Sequence, residues 1–150
     1  MTGLGFLHLA LMIVALALGL LLLLRPKGTM RHKRLGRVFV AGMLVSNLVV
    51  LGLYEDSGQP GIFHVLSIVS MVSLIAAVLL VRLPGAHIGR RIAHGHVMLW
   101  SYGGVVAAGL GQSATFLGFQ PWPAILTCFA LVGVAAVRMD FKSSVMRSPA

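Results

Sequence analysis

Six histidines, at positions 8, 32, 64, 87, 94 and 96, are the residues in this sequence best suited to chemistry, because almost every other ionisable side chain is a lysine or arginine. A neutral imidazole offers a nitrogen lone pair to a metal, and two on facing helices can hold a haem iron from both sides. The histidines fall in two layers. His8 lies sixteen residues before the end of one apolar run and His64 seventeen before the end of another. At about 1.5 Å per residue, both sit about 24–26 Å up from the basic end of their helices. His32, His94 and His96 open later runs at the opposite level, and His87 lies in the loop before them. The outer layer therefore pairs the first and third runs through His8 and His64, and the inner layer pairs the second and fourth through His32 and His94. This is the arrangement of two bis-histidine haem b sites stacked across a bundle. Residues two apart on a helix point about 200° from each other, so only one of His94 and His96 can face a given site. His94 shares a face with Met98 and Ser101, and His96 shares one with Trp100 and Gly103, which leaves His96 as the alternative ligand. A second reading makes these histidines interfacial groups that bond water and headgroups, and a third gives them proton or quinone chemistry.

The elements that position them are apolar. Hydrophobic residues make up 58% of the chain and charged residues only 10%, with a mean hydropathy of +0.96, whereas soluble domains have about 45–50% and about 25%. The apolar residues form runs near the length needed to cross about 30 Å of hydrocarbon. The expected fold class is all-α: a polytopic transmembrane helical bundle of about five helices, one domain over residues 1–150, with spans at 5–24, 36–54, 62–81, 92–117 and 121–137. The first run lacks a basic n-region and carries its positive charge afterwards, so it reads as a retained helix rather than a cleaved signal. All twelve lysines and arginines border one side of these runs, while Glu55 and Asp56 lie on the other. The positive-inside rule then places the N-terminus outside and the C-terminus in the cytoplasm. The +9 charge is accounted for by topology and anionic lipid, and no aromatic interleaving or DNA-binding motif points to nucleic acid.

Helices in lipid pack through small residues and internal polar pairs. Gly103, Ala107, Gly111 and Thr115 recur every four residues, with Gly104 and Ala108 beside them, forming a ridge for a crossing helix. Ser67, Ser70 and Ser73 make a stripe whose hydroxyls are expected to bond back to their own helix. Asn47 and Gln112, amides at lipid depth, require partners. Thr29 is placed to cap the second helix, Pro121 and Pro123 suit the first turn of the last, and Tyr54 and Trp122 suit the outer aromatic belt.

The segment from His32 through Lys33, Gly36 and Arg37, and then His94, Met98, Ser101 and Tyr102, resembles a family of small bacterial predicted membrane proteins of unknown function. Its pattern is His-Arg-x-x-Gly-Arg followed by His-x-x-x-Met-x-Arg-Ser-Tyr. The likeness covers about residues 30–115. Lys33 and Trp100 stand where that family has arginine. The resemblance implies a bacterial cytoplasmic (inner) membrane location and favours His94 over His96. The helix layout is similar to that of dihaem b-type membrane cytochromes.

Other chemistries lack material. Glu55, Asp56 and Asp140 are the only acids, none near a serine motif or inside a run; there is no phosphate-binding glycine loop and no HExxH zinc motif. Cys128 stands alone, so there is no intrachain disulfide. A soluble-type enzyme is not expected. The leading expectation is a haem b-binding or electron-transfer membrane subunit. The alternative is a non-catalytic subunit docking a membrane protein partner, or another copy of itself, through the small-residue ridge. A small-molecule transporter would want broken helices or inverted repeats, which the sequence does not show.

Overall fold

The computed structural model describes residues 3–52, 62–85 and 87–146. These form α1 (Gly3–Leu24), α2 (Met30–Leu51), α3 (Ile62–Arg82), α4 (Ile88–Phe116), α5 (Pro121–Arg138) and α6 (Phe141–Met146), with no strand among the described residues. Tyr54, Glu55 and Asp56, and the outer end of the expected second span, lie outside the described residues.

By length and apolarity α1, α2, α3 and α5 are each able to cross a membrane. With α4 beside them, the described residues form five long helices of an all-α bundle, as expected. α4 is the longest helix, at 29 residues, but it opens with two arginines and two histidines and is rich in glycine, and it does not reach the same apolarity. The physical reason is its position: α1, α3, α5 and α6 all pack against it, so most of its surface meets protein.

Local sequence sets the helix ends. Thr29 is in an extended conformation before α2, and its hydroxyl accepts from the His32 backbone N–H at 3.1 Å, satisfying one of the free donors of the first turn. Lys27 closes α1 from the other side: its ammonium donates to the carbonyls of Leu22 at 2.8 Å and Leu23 at 2.6 Å, the last acceptors of that helix. Burial pushes the Lys27 pKa down from its ordinary value. Gly28, Gly85 and Gly118 take φ of +79°, +72° and +80° in the connections that follow α1, α3 and α4, a conformation that favours glycine.

The first four helices close a ring, α1 against α2, α2 against α3, α3 against α4 and α4 against α1. α1 and α3 thus occupy opposite corners, as do α2 and α4. α5 lies outside α4, and α6 packs beneath α4 at the basic end. The core is made of Ala15 and Leu22 from α1, Phe39 and Met43 from α2, Leu74 from α3 and Val105 from α4. α1 approaches α4 where the Tyr102 ring lies on Gly19, and the Tyr102 hydroxyl donates to the Leu16 carbonyl at 3.1 Å. Any side chain on Gly19 would occupy the space of that ring. Around the outside, Ile13, Val14, Val69, Val72, Leu126 and Leu131 are exposed, as expected where lipid replaces water.

Candidate functional site

At the basic end the ring of helices borders an open cavity of about 790 Å³, within the range of small-molecule and cofactor sites. Helical periodicity explains which residues reach it. On α2, His32, Gly36, Phe39 and Val40 recur at spacings of three and four along one face. On α4, Arg91, His94, Met98 and Tyr102 do the same. The deeper wall is apolar, with Leu22, Leu44 and Val78, and the mouth is basic.

His94 and His32 line this cavity from helices at opposite corners of the ring. The Nδ1 of His94 is 2.7 Å from the Ala77 carbonyl oxygen of α3. A carbonyl only accepts, so Nδ1 must carry the proton. That fixes the tautomer and leaves the lone pair on Nε2, the state required of a metal-binding imidazole oriented by a backbone carbonyl. His32 Nδ1 is buried without a hydrogen-bond partner. A Cβ built on Gly36 would meet nothing within 4 Å, so the cavity runs up to bare backbone there.

The other expected residues fall elsewhere. His96 turns away from the cavity and packs on Phe141 of α6, ring centroids 4.6 Å apart, beside a smaller depression of about 360 Å³. His87 precedes the first turn of α4 and is exposed. His8 belongs to a hydrogen-bonded cluster in the outer half. His8 Nδ1 is 2.9 Å from the Ser46 hydroxyl, the Asn47 amide donates to Ser70 at 2.9 Å, and Ser67 donates to the Asn47 backbone carbonyl at 2.7 Å. Ser46, Asn47 and Ser67 of this cluster are buried, and so is His64 in the first turn of α3. Of the serine stripe, Ser73 alone among these bonds back to its own helix, at Val69, while Ser67 and Ser70 cross to α2.

The small-residue ridge of α4 divides between two fates. Gly103 and Gly111 face α5 of the same chain, where an added Cβ would lie 2.6 Å from Val132 Cγ2 and 2.9 Å from Ile125 Cδ1. Ala107 between them is buried. Gly104 meets nothing within 4 Å, Ala108 is half-buried, and Gln112 is exposed rather than paired within the bundle. Trp100 stacks on Phe129 of α5, ring centroids 6.2 Å apart, outside the cavity.

Sequence reasoning missed Phe141, Lys27 and Gly19. Phe141 is buried, presses on Gly95 and lines the cavity. Its only sequence signal is an aromatic residue just after Asp140, whose carboxylate accepts from the Ser143 backbone N–H at 3.0 Å and so caps a short helix.

Among the described residues no three His, Cys, Asp or Glu side chains converge as they would around a protein-only metal site. Among the described residues lining the cavity, His32 and His94 are the two imidazoles, with Met98 and Tyr102 beside them. A family model described as predicted membrane protein (DUF2306) matches residues 5–140. No curated protein and no solved structure matches the chain.

Proposed function

The chain belongs to the DUF2306 family of predicted membrane proteins, and from that premise we propose that it is a membrane subunit that holds haem b between His32 and His94 and serves electron transfer. The observation that carries this reading is the pair of imidazoles lining one cavity from opposite helices, with the His94 proton held on Nδ1 by Ala77.

The residues present fit such a group. His32 has a buried ring nitrogen in want of a partner. Gly36 presents a surface without a side chain, against which a flat macrocycle can lie. Leu22, Phe39, Val40, Leu44, Val78 and Met98 give the cavity that holds the imidazoles an apolar wall. A bound haem would supply reversible one-electron chemistry at its iron. The chain's part is to orient the two imidazoles, keep His94 in one tautomer and give the site its apolar wall. The cavity has room for one such group per chain, at the basic end; of the outer histidines, His8 is hydrogen-bonded to Ser46 and His64 is buried.

The test is an absorption spectrum of protein purified in mild detergent from haem-supplemented cells, oxidised and then reduced with dithionite. Sharp reduced bands with haem near one per chain are expected, abolished or shifted in His94→Ala and in His32→Ala. Gly36→Leu is expected to lose haem while remaining folded, because its side chain enters open space rather than a neighbour. A colourless wild-type protein, free of metal, refutes the reading.

A further inference from the structure

We propose that Lys33, Arg37, Arg82 and Arg91 form a carboxylate-binding subsite at the mouth of the cavity, which takes the two propionates of the haem; this rests on the haem reading above. The four side chains come from three helices, α2, α3 and α4, and all line the cavity. No aspartate or glutamate lines it with them. Like charges gathered without a counter-charge repel one another, and the arrangement is relieved by an anion.

Membrane topology explains why basic residues lie at this end but not why these four line the cavity. Arg25, Arg31 and Arg34 lie at the same end and do not line it, Arg90 donates to the Pro84 carbonyl at 3.2 Å, and Arg138 and Lys142 line the smaller depression by His96. Lys27 does line the cavity, but its ammonium is engaged by the carbonyls that end α1. The remaining four are placed to act on a ligand. Arg91 lies one turn from His94 on the same face, and Lys33 and Arg37 flank His32 and Gly36. An amphiphile with its apolar body between the imidazoles would therefore bring its anionic groups to this quartet. Arginine forks bind carboxylates through two parallel hydrogen bonds, which matches the planar ends of a propionate.

The experiment titrates apo-protein in neutral detergent with haem and with haem dimethyl ester, in which both carboxylates are blocked. Wild type is expected to bind haem at least about ten-fold more tightly than the ester, the size of effect given by one or two charge-assisted hydrogen bonds. Arg37→Gln/Arg91→Gln is expected to lower haem affinity to that of the ester while leaving ester binding unchanged, and the unchanged ester binding shows that the variant is folded. Equal affinity of wild type for both ligands overturns the subsite and leaves the haem reading standing. No spectral shift with either ligand overturns the haem reading and the subsite with it. A third arm adds phosphatidylglycerol to the micelles. A fall in haem affinity toward that of the ester assigns the quartet to a lipid headgroup and overturns the proposal, whereas an unchanged affinity supports it.

Discussion

Gly103 and Gly104 are adjacent and both belong to the small-residue ridge of α4, yet replacing each with alanine should have opposite consequences. A Cβ on Gly103 would stand 2.6 Å from Val132 Cγ2 and 3.1 Å from Cγ1. Favourable carbon contacts lie at about 3.5–4.0 Å, so the helices must separate by the better part of an ångström. Val132 is β-branched and has little rotamer freedom on a helix, which prevents it from swinging aside. Overpacking of this kind costs about 1–3 kcal/mol, and the better helix propensity of alanine offsets about 1 kcal/mol of it. The net loss for Gly103→Ala is then about 0–2 kcal/mol, whereas Gly104→Ala, which meets nothing within 4 Å, keeps the gain. Gly111→Ala should fall between them, because its nearest atom is the flexible end of Ile125 at 2.9 Å. The assay is built into the chain. Cys128 is its only cysteine, is buried on α5, and has its sulfur 3.6 Å from the Gly103 carbonyl, so a thiol reagent reports the opening of the α4–α5 seam. Labelling of Gly103→Ala in detergent should run up to about 30-fold faster than wild type, and labelling of Gly104→Ala no faster than wild type. Faster labelling of Gly104→Ala than of Gly103→Ala would refute the assignment of which glycine faces α5.

Two further outcomes are expected. In a double-mutant cycle, Asn47→Ala and Ser70→Ala should couple by about 0.6–1.7 kcal/mol, the range of hydrogen bonds between helices in membranes, and a coupling of zero would show that the 2.9 Å contact contributes nothing to joining α2 and α3. The Ser143 backbone and side chain hold the Asp140 pKa below its ordinary 3.8; its stabilisation of α6 should therefore be complete above pH 3.8 and be lost as pH falls through the lower folded value, releasing Phe141 from Gly95. Fluorine NMR of a fluorophenylalanine at position 141 should follow that release, and the same acid transition in Asp140→Asn would assign it to another group.

Much of the fold is legible along the chain because its determinants are local. The apolar runs of α1, α2, α3 and α5 are set by length and side-chain type, and the start of α2 is set by Thr29, whose hydroxyl reaches only three residues onward. α4 is less legible. Its hydropathy understates its place in the bundle, because a helix surrounded by other helices gains close packing from the glycines that lower its apolarity.

The site was legible in part. Sequence by itself determined that His94 and His96 point apart, that His32 opens the second helix, and that Asn47 needs a partner, since these follow from helical geometry and from the absence of water in lipid. Only the tertiary structure decided that His94 faces the cavity while His96 meets Phe141, that Ser70 is the partner of Asn47, and that the ridge of α4 receives α5 of the same chain. The physical reason is that periodicity fixes which residues share a face, whereas what that face meets depends on the order of helices around the ring, and Ala77 comes within 2.7 Å of His94 only once α3 and α4 have packed.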